Sequence, residues 1–190
     1  MHTAVVFWSG GKDAFLAYRE IENQYERIYL LVTYDNTRNT VPLQEIHMSH
    51  IRKQTSFLDL PLLETPLPPS CPNDEYVNSI ANTLENARLT TCDLIFGDLH
   101  IDEIRQWRQS VFQPSGFTCR FPIWNMDYDT LFNRLFSYNI SIRLTHVDPR
   151  FEHIIQPGTL YNRQFIKELP EEIDAMGEFG EFHTRIEFEH

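Results

Sequence analysis

Ser9-Gly10-Gly11-Lys12-Asp13 gathers, in five residues, the groups that handle a phosphate. Two glycines let the backbone bend and approach a ligand closely, Ser9 offers a hydroxyl, Lys12 a full positive charge and Asp13 a carboxylate. Ala4 to Trp8 in front is an apolar, β-branched run of strand type; behind, Ala14, Tyr18, Ile21 and Tyr25 recur at helical spacing. Strand, glycine turn and helix start aim unpaired N–H groups at an anion. A Walker A loop would need four residues between its first glycine and Gly-Lys-Ser/Thr, and the dinucleotide fingerprint a third glycine; neither spacing is present. The plain alternative is an ordinary strand-to-helix turn in which Asp13 favours the helix N-terminus. A carboxylate beside a polyphosphate is repelled unless a cation intervenes, and hard divalent ions bind through one or two carboxylates plus phosphate oxygens. Asp13 and Asp98 are therefore expected as Mg2+ ligands, with Lys12, Asp13 and Asp98 as the catalytic groups.

Two further stretches carry chemistry. From Gly97 to Arg108, a helical reading places Asp98, Asp102 and Arg105 on one face, and Arg105 and Arg108 could clamp a carboxylate or phosphate through planar donor pairs. The plain alternative is a set of surface ion pairs. From Gly177 to Thr184, two glycines bracket Glu178-Phe179, after which Phe182, Thr184, Ile186 and Phe188 alternate with Glu181, His183, Arg185 and Glu187. A half-buried strand would then hold Glu181 and His183 on its polar face, ~6–7 Å apart, where a carboxylate and an imidazole could manage an amine and its proton. Glu178, Glu181, His183 and Thr184 are the expected substrate contacts there, and an acidic hairpin edge is the plain alternative.

Positioning these groups requires an α/β fold. The expected strands are Ala4 to Trp8, Arg27 to Thr33, Leu60 to Thr65, Cys92 to Gly97, Phe117 to Trp124 and Ile140 to Val147. Helical patterns separate them: the one after the phosphate loop, Leu43 to Leu58, Asn73 to Ala87, part of Asp98 to Phe112, and Asp127 to Tyr138. That alternation predicts a doubly wound, mostly parallel sheet with helices on both faces. Ligands of such sheets sit outside the carboxyl ends of the strands. The Ser9–Asp13 loop, the loop after Thr33 and Tyr34, and Gly97-Asp98 all leave strands at that rim, so Ser9, Gly10, Gly11, Lys12, Thr33, Tyr34 and Gly97 are the expected nucleotide contacts. Beyond Asp148-Pro149 the rhythm is lost. Residues 1–147 are read as the nucleotide-binding unit and 148–190 as a small α+β substrate-binding appendage, with a helix over Asn162 to Leu169.

Bulk properties narrow the partners. A formal net charge of −11 argues against general nucleic-acid binding, and no apolar run approaches the ~20 residues needed to cross a bilayer. A cytoplasmic protein is expected. Cys71, Cys92 and Cys119 form neither a disulfide framework nor a CxxC pair, which also disfavours sulfur transfer to RNA.

Taken together the motifs resemble a known family, the diphthine–ammonia ligase group of N-type ATP pyrophosphatases with a PP-loop. The resemblance covers nearly the whole chain. It rests on Ser9 to Asp13, Gln54 with Leu60-Pro61-Leu62, Asn73 to Tyr76, Phe96-Gly97-Asp98 with Arg105 and Arg108, Phe121 to Trp124, Val147-Asp148 and Gly177 to Thr184. Ala175, Met176 and Phe179 stand where the family usually has Pro, Cys and often Asn. The resemblance implies an adenine-nucleotide α-hydrolase fold and cleavage of ATP to AMP and pyrophosphate with Mg2+. It further implies adenylation of a carboxylate-bearing acceptor and its amidation with ammonia, as in the diphthine of elongation factor 2. A homodimer is the expected assembly. A non-catalytic nucleotide-binding protein of the same fold is the alternative.

Overall fold

Ala4, Val5 and Val6 are shut off from solvent on both sides of the sheet they form. The computed structural model describes residues 2–189. Its elements run β1 (Thr3–Phe7), α1 (Lys12–Ile21), β2 (Arg27–Asp35), β3 (Thr40–Val41), β4 (Ile46–His47), α2 (Met48–Leu58), β5 (Leu62–Leu67) and α3 (Asn73–Asn86). Then follow β6 (Asp93–Ile95), α4 (Asp102–Phe112), β7 (Thr118–Arg120), α5 (Tyr128–Leu135), β8 (Ile140–Val147), α6 (Arg163–Glu168) and β9 (Phe182–Phe188).

Five strands make a parallel sheet in the order β5-β2-β1-β6-β7, and the β3–β4 hairpin joins antiparallel at the carboxyl end of β2. The chain builds outward from β1 to β2 and β5, then returns past β1 to lay down β6 and β7. That reversal opens a crevice beyond the carboxyl ends of β1 and β6. Alternation along β1 feeds two cores: Ala4, Val6 and Trp8 meet α1, α2, α5 and the second sheet, while Val5 meets Ile80 and Leu84 of α3 and Phe112 of α4. Helices therefore cover both faces.

Four elements differ from the sequence reading. The helix expected from Leu43 begins at Met48, because residues 40–47 form a hairpin with left-handed backbone at Leu43 (φ 66°) and Glu45 (φ 53°). β5 runs through Pro66 instead of stopping before it; as an edge strand paired only to β2, it loses no ladder bond on its open side. The strand expected from Phe117 to Trp124 shrinks to β7. β8 forms where expected but pairs antiparallel with β9 in a second sheet, not with the parallel one. That sheet lays Ile142, Leu144, Phe182 and Ile186 into the same core as α1, which brings β9 alongside the Ser9–Asp13 loop.

Candidate functional site

The loop after β1 owes its shape to close packing. Gly10 has φ 82°, and a Cβ there would lie 2.6 Å from Ile51 Cδ1 and 2.9 Å from Gln54 Oε1. A Cβ on Gly97, at the end of β6, would lie 2.8 Å from the Asp13 carbonyl carbon and oxygen, so the two strand ends and the first turn of α1 touch backbone to backbone. Buried Gln54 holds the loop from α2. Its Oε1 accepts from Trp8 Nε1 (3.0 Å), and its Nε2 donates to the carbonyls of Gly10 (3.0 Å) and Ile186 (2.8 Å). β9 completes the cradle: Ile186 N–H donates to the Gly10 carbonyl (3.0 Å), and Thr184 Oγ1 accepts from Lys12 N–H (3.2 Å).

Above this loop lies a cavity of about 600 Å³ at the point where the strand order reverses. Ser9, Asp13, Thr33, Gly97, Asp98, Arg108, Glu178 and His183 line it, so the structure brings together residues from all three stretches singled out in the sequence. Apolar side chains from Phe7, Leu31, Val41, Leu67 and Ile104 form much of the remaining wall. A second cavity, about 500 Å³, opens at the opposite, amino ends of the strands around Tyr25, Asp93 and Arg120. There the Asp93 carboxylate is already closed by the Tyr25 hydroxyl (2.7 Å) and Arg120 Nε (3.1 Å).

Asp13 keeps 34% of its side chain accessible through the cavity. Burial lifts its carboxyl above the usual range, against the pull of the Lys12 ammonium. Asp98 lies in the loop before α4 rather than on the helix, and receives Arg108 through a two-pronged bond (2.6 and 3.0 Å). Burial pushes the Arg108 guanidinium down, but the Asp98 charge outweighs it and the group ends above its ordinary value. Glu178 Oε1 accepts the N–H groups of Leu99 (3.2 Å) and His100 (3.4 Å); burial, and then the Asp13 charge, raise its carboxyl. His183 is lowered to about 4, by burial first and then by the Lys12 and His146 charges, so its imidazole is neutral at pH 7.

Seven expected site residues are placed elsewhere. Gly10 and Gly11 are buried behind Ser9, Gly10 against Ile51 and Gln54 and Gly11 against Thr184, and do not line the cavity. Lys12 does not line the cavity. It is 2% exposed, and its Nζ donates to both Asp13 carboxylate oxygens (3.0 Å each) and to the Met176 carbonyl (2.6 Å). Tyr34 points to the other face of β2 and packs on the core, since strand side chains alternate and Thr33 takes the cavity side. Arg105 pairs with Asp102 (3.0 Å) and lies over the Trp124 ring (4.3 Å), leaving Arg108 as the arginine of α4 that faces the cavity. Glu181 precedes β9, so the strand alternation does not reach it. It is 6% exposed and accepts the N–H groups of Asp174 (3.2 Å) and Phe179 (3.0 Å), bracing the loop that carries Glu178. Thr184 faces inward and caps the start of α1, as described.

Apart from Tyr76, which belongs to the Asn73–Tyr76 motif of the family resemblance, the other cavity residues carried no functional signal in the sequence reading. Asp35 caps its own turn through Thr37 N–H (2.8 Å) and Arg38 N–H (3.0 Å). The Pro68-to-Cys71 rim and Tyr76 also line the wall; the Asx turn at Asp35 is a local pattern that could have marked that residue, and the rim residues had none. Ala175 and Met176 enter through their carbonyls, to the Tyr161 hydroxyl (2.8 Å) and Lys12, and any residue supplies those. Among the described residues no three His, Cys, Asp or Glu side chains form a metal cage. Asp13 and Asp98 are two cavity carboxylates whose oxygens each keep a further lone pair, which suits a hard cation that shares its coordination with phosphate.

Among family models, the one described as the diphthamide synthase N-terminal domain matches residues 1–119. The chain belongs to this family, one of the PP-loop ATP pyrophosphatases. The matched region holds the Ser9–Asp13 loop, Gln54 and the Gly97–Arg108 stretch, and ends before the loop and strand that cradle them. A solved structure titled "predicted subunit of tRNA methyltransferase" from Methanocaldococcus jannaschii is similar to this chain. The TM-score is 0.50 at 13% identity, covering 74% of this chain and 77% of that one. At that identity the likeness shows a shared fold. No curated protein matches the sequence. No helix among the described residues is long and apolar enough to cross a membrane.

Proposed function

We propose that the cavity binds ATP with its outer phosphates on the Ser9–Gly11 loop and cleaves it between the α and β phosphates. The single observation that carries this reading is the convergence of Ser9, Asp13 and the Gly97-Asp98 strand end on one cavity at the reversal of strand order. A carboxylate acceptor would attack the α-phosphorus, forming an acyl-adenylate and releasing pyrophosphate. Ammonia would then attack the acyl carbon, giving an amide, AMP and a proton.

The charge on the cavity wall makes a cation necessary. Among the described residues that line it, Arg108 is the one lysine or arginine, against Asp13, Asp35, Asp98 and Glu178. Asp13 and Asp98 would hold Mg2+, which supplies positive charge to the phosphate oxygens when bound. Glu178 and neutral His183 lie on the side of the cavity built from the C-terminal segment, where they would receive the nitrogen nucleophile and its proton. In this division residues 1–147 carry the nucleotide and 148–190 the acceptor side.

One observation favours the second reading, a protein that holds nucleotide without turning it over: the charge of Lys12 is spent inside the protein. Product analysis separates the readings. With Mg-ATP and carboxylate acceptors, 31P NMR should show AMP and pyrophosphate growing together. ADP with orthophosphate would overturn the proposal, and ATP binding without products would establish the second reading.

A further inference from the structure

Lys12 is the residue whose place departs most from what its charge suggests. An ammonium has three N–H donors and no acceptor. Its hydrogen bonds go to both oxygens of the Asp13 carboxylate and to the carbonyl of Met176, 164 residues further along the chain. The rings of Tyr161 and Phe182 flank the ammonium, each centroid 5.7 Å from Nζ. The side chain is 2% exposed and lies outside the cavity lining. A phosphate contact would require the ammonium to leave these partners.

What the contacts join is specific. Asp13 belongs to the first turn of α1 and opens into the cavity. Met176 begins the segment whose next members are Gly177 and Glu178, both in the cavity wall. Asp174 and Glu181 hold the rest of that segment, through Met176 N–H (2.9 Å) and Glu178 N–H (3.1 Å) to Asp174 and through Phe179 N–H (3.0 Å) to Glu181. We propose that Lys12 is a positioning residue, a strut that aims the Asp13 carboxylate and ties the Glu178 loop to the nucleotide loop, and not a phosphate ligand. This deepens the ATP reading of the same site and rests on it only for the activity arm of the test.

The test needs no variant to begin. The chain has three lysines, Lys12, Lys53 and Lys167, and the other two are exposed. Brief acetylation of the intact protein, read by peptide mass spectrometry, should modify Lys12 at least ten times more slowly than Lys53 and Lys167, with or without Mg-ATP. Rapid labelling of Lys12 that ATP suppresses would overturn the proposal. Hydrogen exchange then compares wild type with Lys12→Met, or with Lys12→Gln should the first variant fail to fold. The strut predicts faster exchange over residues 174–181, whereas unchanged exchange there sinks it. In the activity arm, Lys12→Met in an Asp13→Asn, Glu178→Gln background should slow AMP formation no further than that background alone, because Lys12 acts through Asp13 and the Glu178 loop. Losses that multiply would show an independent phosphate contact. Wild type that makes no AMP would refute the ATP reading and leave the labelling and exchange results to judge the strut.

Discussion

Replacing Gly97 by alanine tests whether the end of β6 must touch the first turn of α1. The added Cβ would meet the Asp13 carbonyl carbon and oxygen at 2.8 Å and Ala14 N at 3.0 Å, all backbone atoms. Ordinary contact at 3.4 Å requires a separation of about 0.6 Å (3.4 − 2.8 Å), and no flexible side chain can absorb it. Overpacking of that kind costs ~1–3 kcal/mol, which for a chain of this length lowers Tm by roughly 2–12 °C. The same movement separates Asp13 from Asp98. Misplacement by ~1 Å costs on the order of 100-fold in rate, so AMP formation should fall by roughly 10- to 100-fold. Gly116→Ala is the control. Gly116 has φ 88° with open space around it, so alanine there pays ~1–2 kcal/mol of backbone strain far from the cavity. It should lower Tm to a similar degree and leave turnover intact. Differential scanning calorimetry and the AMP assay on both variants decide the matter. Gly97→Ala with wild-type Tm and turnover would refute the packing argument.

Other perturbations follow from the same geometry. Arg108→Met leaves Asp98, 12% exposed, without its partner and should destabilise by about 3–5 kcal/mol in urea titration, with part recovered when Asp98→Asn is added. Gln54→Ala orphans the Trp8 indole N–H and the Ile186 carbonyl, at ~1–3 kcal/mol for each group that stays dry, while the Gly10 carbonyl keeps its bond from Ile186 N–H; denaturant titration again reads the loss. His183 is lowered to about 4 in the folded protein, so between pH 4 and about 6.5 the unfolded chain binds a proton that the folded one does not. Stability should therefore rise with pH across that window, and His183→Gln should lose up to one proton's worth of slope; an unchanged slope contradicts the assignment. Chelation of Mg2+ should stop AMP formation and leave Tm in the absence of nucleotide unchanged.

Local features of the site were legible from residue type and spacing; the long-range ones were not. The two glycines and the strand-to-helix passage at Ser9–Asp13 are local, and so was their reading. Thr33 and Tyr34 differ by one residue, and nothing local fixes which parity faces the cavity. Glu181 shows the same limit, since the alternating pattern extends one residue past the strand that gives it meaning. For Lys12, a charge beside a phosphate loop pointed to phosphate, but the acceptor that turns it inward is a carbonyl 164 residues away. Likewise β8 has a sequence suited to either sheet, and its partner β9 lies beyond an irregular segment that no periodicity bridges.

The central claim is tested most directly by a crystal structure with α,β-methylene-ATP and Mg2+. The account predicts the β and γ phosphates within hydrogen-bond distance of the Ser9–Gly11 loop, the metal on Asp13 and Asp98, and the α-phosphorus open toward Glu178 and His183. A nucleotide bound at the opposite cavity beside Asp93 and Arg120, or one that puts its base or ribose in the glycine loop, would contradict it.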